Sequence, residues 1–163
     1  MFNAPFYIGW LMIAAGSLGA AMLLSKKPVP RGIRNNNPGN IRHGRSQWIG
    51  ASATQTDADF VQFDSPEAGI RAMVRLIYTY RDQYGLNTIS KIISRWAPGT
   101  ENDTAAYIDA VSRSMGVPPR QVLEYPEDVR PLVVAIIRHE NGPDWFYGGQ
   151  VLTAGIQAGI SNA

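Results

Sequence analysis

From Ser65 onward, apolar residues return every three or four positions, the period of a helix with one buried face. Ser65-Pro66-Glu67 reads as an N-cap, a proline at the first helical position and an acid in the first turn. Ile70, Met73, Val74 and Ile77 follow at helical spacing, and Gly85 stops the run. The same pattern predicts a second helix from Thr88 to Trp96 through Ile89, Ile92 and Ile93. A third runs from Asp103 to Gly116 through Tyr107, Ile108, Val111 and Met115. Pro118-Pro119 opens a short helical turn to Leu123. A fourth long helix spans Glu127 to Asn141, with Leu132, Val133, Ile136 and Ile137 inward and Gly142 as its stop. Gln150 to Ile160 is a last amphipathic segment. Before Ser65 the pattern differs. Asn35-Asn36-Asn37-Pro38-Gly39-Asn40 is a turn cluster, and Gln47–Gly50 and Asp59–Phe63 alternate polar and apolar residues as a small β-hairpin would.

The first residues have no polar period at all. Ala4 to Leu24 is a run of 21 residues without a charge. As a helix it is about 30 Å long, enough to cross a bilayer. Phe6, Tyr7 and Trp10 cluster at one end, and Lys26 and Lys27 flank the other. A cleaved secretory signal is the competing reading, with Gly19 and Ala21 as its small-residue site, but its positive charge should precede the apolar run. The expected organisation is a transmembrane helix over 1–25, a proline-stiffened linker over 26–31 and one folded domain over 32–163. The expected localisation is single-pass membrane-anchored, in a virion's internal membrane or a host cell envelope.

Charge sharpens this division. The chain of 163 residues carries 15 Lys and Arg against 13 Asp and Glu. Six of the cations precede the first acid, Asp57, leaving nine cations against thirteen anions and a balance of −4 from there on. The basic cluster Arg42–Arg45 is too small to imply nucleic acid beside an acidic body. The absence of cysteine excludes a disulfide scaffold, Cys-ligated metals and thiol catalysis. His43 and His139 are too far apart for a local metal motif, so no metal or cofactor is expected.

Glu140 is the first candidate for chemistry. It lies four residues after Ile136 and three after Ile137, on the apolar face of its helix, and in the last turn, where the helix dipole disfavours negative charge. Neither position helps stability, so the carboxyl is a candidate general acid, or else a helix-end acid paired with Arg138, His139 or a distant arginine. Asn36, Asn37 and Asn40 cap an irregular loop or hold sugar hydroxyls and N-acetyl groups. Asp57 and Asp59 are either solvated turn acids or the second carboxylate of a glycosidase pair. Trp48 and Trp96 are core aromatics or sugar platforms, and the spacing of Tyr107 favours the core.

Family resemblance adds to these readings. Gly32-Ile33-Arg34-Asn35-Asn36-Asn37-Pro38-Gly39-Asn40-Ile41-Arg42 resembles the NNPGNIR signature of phage-associated structural and muralytic proteins with a lysozyme-like fold. The likeness continues through Trp48, Gly50, Phe60, Phe63, Gly69, Arg95-Trp96-Ala97-Pro98, Glu101-Asn102, Thr104 and Tyr107-Ile108. The order of parts is also similar to bacterial N-acetylglucosaminidases that cleave peptidoglycan. Their turn follows a helix ending in the catalytic Glu, and no such helix precedes the turn here. Ile136–Gly142 resembles that helix end, with Asn141 where Ser is usual. The resemblance implies a circularly permuted lysozyme-like domain, mainly α with a small β-hairpin subdomain.

It also implies a lytic transglycosylase or muramidase acting on peptidoglycan, with Glu140 as acid and base. Asn36, Asn37, Asn40, Arg42, Trp48, Trp96 and Tyr107 would then contact glycan. Peptidoglycan, a lipid membrane and other virion proteins are the partners implied. A structural virion membrane protein that binds glycan without turnover is the alternative from another class, and a peptidase acting on the peptide stem a third.

Overall fold

A computed structural model describes residues 27–99 and 103–161. Helix α1 (Arg31–Arg34) is a single turn. It is followed by α2 (Pro66–Tyr84), α3 (Ile89–Trp96), α4 (Thr104–Met115), α5 (Val129–Asn141) and α6 (Gly149–Ile160). The helix signals in the sequence act through identifiable atoms. Ser65, Thr88 and Asp103 each accept a backbone N–H from the first turn, those of Ala68, Lys91 and Ala106. Gly85 and Gly116 end α2 and α4 in the left-handed region, at φ 64° and 68°. Pro118–Leu123 makes a turn rather than a helix. Ser90 N–H bonds Pro119 O and Leu123 N–H bonds Asn87 O, which draws this backbone onto the start of α3.

The core lies where α2, α3, α4 and α5 meet. Ile70, Met73, Ile77, Ile92, Leu132 and Ile136 are fully buried there, and each such side chain stabilises the fold by about 1.5–3 kcal/mol. The most extensive helix pair is α2 with α6. Its closeness comes from missing side chains: a Cβ on Gly155 would stand 2.7 Å from Ile70 Cβ, and one on Gly159 would stand 2.5 Å from Val74 Cβ. The two glycines and their two partners are both spaced four apart, so one turn of α6 seats on one turn of α2. α5 packs against α4, α2 and α1, which puts its C-terminal end beside the asparagine turn.

Two expectations about the fold class and the membrane are corrected as well. The mainly α, lysozyme-like α+β arrangement with a β-hairpin subdomain is not formed: the described residues are helical with almost no strand. The segment from Asp59 to Asp64 makes one antiparallel bridge through Phe60 to Arg42 and another through Phe63 to Ala51. A ladder does not grow because other groups take its bonds. Phe63 N–H goes to Asn35 O at 2.9 Å, and Gln62 N–H to the Gln55 side chain at 2.7 Å. The Gln55 carboxamide also donates to Ser52 O and Gln62 O. Alternation in the sequence therefore marks a loop pinned by side chains rather than two strands.

The second correction concerns the membrane. Ala4–Leu24, the run behind the transmembrane expectation, lies outside the described residues, as do Glu101 and Asn102. Among the described residues no helix is long and apolar enough to cross a membrane. The expected single-pass, membrane-anchored localisation is corrected on that finding. Arg31, assigned to the linker by sequence, instead opens α1, where Arg34 N–H bonds Pro30 O at 3.0 Å.

Candidate functional site

The turn after α1 is built by its asparagines. Asn36 and Asn40 have φ of 51° and 49°, a left-handed conformation that asparagine tolerates better than most residues. Asn37 is fully buried, and its carboxamide makes three backbone bonds. Nδ2 donates to Ile41 O at 2.9 Å and to Val61 O at 2.8 Å, and Oδ1 accepts Ile41 N–H at 2.9 Å. Asn36 Nδ2 donates to Phe63 O at 3.0 Å. The turn crosses α2 at Gly69, where a Cβ would fall 1.8 Å from Asn36 O, closer than any side chain allows. Two of the three candidate asparagines thus hold backbone, and Asn40 alone turns toward the end of α5.

There it meets Glu140. Asn40 Nδ2 donates to Glu140 Oε2 at 2.8 Å, and the Tyr107 hydroxyl donates to Glu140 Oε1 at 2.8 Å. Glu140 is half-buried at the last turn of α5. Tyr107 is only 2 % exposed and stacks on His139, with ring centroids 3.5 Å apart and planes 14° apart. Burial and the nearby Glu140 carboxylate push the Tyr107 phenol far above its ordinary value of 10.0, so it stays a donor throughout the neutral range. Burial lowers His139 from its ordinary 6.5, against the opposing pull of Glu140, so the ring over Tyr107 is neutral at neutral pH.

The remaining candidates lie around this centre or apart from it. Trp96 is half-buried, packs edge-on against Tyr80 and donates from Nε1 to Gly39 O at 3.2 Å, which joins α3 to the turn. Arg42 lies over the Phe60 ring at 5.1 Å. Trp48 lines a groove of about 240 Å³ with His43, Gln47 and Gln55. A larger open groove of about 510 Å³ is lined by Tyr84, Lys91, Ser94 and Arg95. Glu140 lines neither.

Asp57 and Asp59 belong to Arg31. Asp57 takes a two-pronged bond from Arg31, 2.6 Å at each oxygen, and accepts Asn35 Nδ2 at 2.7 Å and the N–H groups of Asp59 and Phe60. Arg31, then Asn35 and these amides, hold its carboxyl far below the usual 3.8. Asp59 accepts Arg31 at 2.9 Å.

One participant was missed by sequence reasoning. Asn141, buried, donates from Nδ2 to Pro38 O at 2.7 Å and to Ile137 O at 2.9 Å, tying α5 to the turn. Its signal was its place: it follows Ile137 by four residues, so it too lies on the apolar face.

No family model matches the chain. It is 42 % identical over 136 residues to Protein P5 of Pseudoalteromonas phage PM2, an alignment covering 80 % of this chain and 84 % of that protein.

Proposed function

Because the chain belongs to the family of Protein P5 of Pseudoalteromonas phage PM2, we propose that it is a virion component that cleaves the glycan strand of peptidoglycan, with Glu140 as general acid and then general base. The observation that carries this reading is the Glu140 carboxyl, half-buried at the end of an apolar helix and oriented at both oxygens by Asn40 and Tyr107. The resemblance of Gly32–Arg42 to muralytic phage proteins supports the substrate class.

The chemistry needs one carboxyl. Protonated Glu140 gives its proton to the oxygen joining N-acetylmuramic acid to N-acetylglucosamine, and the bond from that oxygen to C1 breaks. The resulting carboxylate takes the proton of the muramyl 6-hydroxyl, whose oxygen closes on C1 to give an anhydro sugar. If water enters in place of that hydroxyl, the product is a reducing sugar. The anhydro route fits better, because Asp57 and Asp59, the candidates for a second carboxylate, are committed to Arg31. Asn40 and Tyr107 would steady the carboxylate between the two steps. Trp96 and Arg42 are the candidates to position glycan.

The test is purified full-length protein on bacterial cell walls, with mass spectrometry of released fragments. Anhydro-muropeptides that vanish in Glu140→Gln support the reading; equal release by Glu140→Gln overturns it. A second reading, glycan binding by a structural virion protein without turnover, is favoured by one observation: both Glu140 oxygens already have partners within the chain. Binding to walls without any released fragment would favour it.

A further inference from the structure

Two amide oxygens beside Glu140 have no partner. The bonds from Asn141 Nδ2 to Pro38 O and Ile137 O fix its carboxamide, and its Oδ1 is left buried and unbonded. Asn40 spends its NH2 on Glu140, and its Oδ1 is likewise buried and unbonded. Both oxygens face the same side of Gly32: a Cβ there would stand 2.6 Å from Asn141 Oδ1 and 2.8 Å from Asn40 Oδ1. Two buried acceptors share one small space with no donor between them, an arrangement that costs about 1–3 kcal/mol per oxygen.

A half turn of the Asn40 carboxamide exchanges its oxygen and nitrogen in nearly the same volume. Its NH2 then points toward Asn141 Oδ1, and its oxygen toward Glu140 Oε2. The second contact requires a donor on Glu140, which the protonated carboxyl has and the carboxylate lacks. We propose that the Asn40 carboxamide turns over with the protonation of Glu140, and that Asn141 is the positioning residue that receives its NH2 in the protonated state. With Glu140 ionised, Asn40 and Tyr107 both donate to the carboxylate, as in the structure. With Glu140 protonated, Glu140 donates to Asn40 Oδ1, Asn40 donates to Asn141 Oδ1, and Tyr107 still donates to Oε1. This second arrangement leaves neither amide oxygen without a donor.

The titratable and charged groups of the neighbouring elements are these. Tyr107 faces it from α4, its phenol neutral. His139 precedes it on α5, its ring lowered by burial. On α1, Arg31 is committed to Asp57 and Asp59, and Arg34 is exposed. The buried residues of α2 carry no charge, their titratable members being Tyr78 and Tyr80; Glu67, Arg71, Arg75 and Arg81 are half-buried on the same helix, with one guanidinium nitrogen of Arg75 buried.

As a route of proton delivery the proposal rests on the reading of Glu140 as the acid, but the turning is measured without activity. The side-chain 15N–1H resonances of Asn40 in the full chain should pass between two end states as pH is varied. In Glu140→Gln, which keeps the shape and supplies a permanent donor, they should stay at the wild-type acid end state at every pH. Resonances that never move in the wild type, as a water fixed between the two oxygens would give, overturn the proposal. So does a Gln variant resting at the alkaline end state.

In Asn141→Ala, which removes the acceptor, the passage of the Asn40 resonances between two end states should be lost. An unchanged passage in the folded variant overturns the positioning role. A chain inert on walls whose Asn40 resonances still follow pH overturns the enzymatic reading and leaves the turning established.

Discussion

Asn40 Nδ2 donates to Glu140 Oε2 at 2.8 Å, joining a left-handed turn to the end of α5 across 100 residues of sequence. The bond makes one side chain responsible both for the turn's geometry and for the orientation of the acid. Its two roles separate by substitution. Asn40→Ala removes the bond and also puts a Cβ without compensating polarity at φ 49°. Asn40→Gly removes the bond alone. The alanine variant should be less stable than the glycine variant, by about 1 kcal/mol, in urea unfolding. Equal midpoints would mean that the turn relaxes out of the left-handed region.

The α2–α6 contact predicts overpacking. Gly159→Ala should destabilise by about 1–3 kcal/mol, because its Cβ meets Val74 and the two helices cannot part without breaking the contact at Gly155. Val74→Ala alone is also destabilising. The double substitution should cost less than the two together, and thermal melts of the four proteins give the coupling. Strict additivity would disprove the contact.

Asp57 predicts acid sensitivity. Arg31 depresses its carboxyl in the folded state, so its contribution is present above the ordinary 3.8 and is lost as pH falls below that value. The wild type should lose stability on acidification below about pH 4, and Asp57→Asn should be less stable at neutrality with a flatter acid profile. Denaturant midpoints between pH 6 and pH 2 test both halves; parallel profiles would refute the assignment.

Tyrosine predicts the opposite limb. Tyr107, Tyr125 and Tyr147 all have phenols raised by burial, the last two to about 12. The unfolded chain ionises them near 10 while the folded chain keeps them protonated, so stability falls as pH rises beyond 10. Tyr107→Phe should flatten that decline, and it should lower stability near pH 7 by about 1.5–3 kcal/mol through loss of the bond to Glu140. Melting temperature against pH is the measurement. A Phe variant that declines as steeply as the wild type would mean that Tyr107 is ionised in the fold.

Helices α2, α3 and α4 were legible because each carries its own start, and α2 and α4 their own stop as well. Ser65, Thr88 and Asp103 cap by local bonds, and Gly85 and Gly116 end by local conformation. Glu140 was legible for a related reason, as an acid out of place on an apolar stripe. What surrounds it was not. Nothing in the period of α4 says that Tyr107 points its hydroxyl at α5, or that Asn40 rather than Asn37 reaches across. Those pairings depend on how helices dock, and docking is set by buried surfaces far apart in sequence. The hairpin failed because alternation reports which side chains face inward, while a ladder also needs free backbone groups. Gln55, Asn35 and Asn37 had already taken them. The pairing of Asp57 with Arg31 was not legible, because the two sit 26 residues apart.

The knot at Asn37 bears on how the molecule ages. An asparagine loses its amide when the following residue's backbone nitrogen attacks the side chain. Asn37 is followed by Pro38, which has no N–H to surrender. Asn40 is followed by Ile41, whose N–H is already bonded to Asn37 Oδ1. The carboxamide that replaces a strand ladder and the one that holds Glu140 are therefore both guarded against spontaneous deamidation. Slow conversion to a carboxylate would strip donors from Ile41 O and Val61 O at the first position and set a second negative charge against Glu140 at the other. The turn is kept chemically intact by the bonds that shape it.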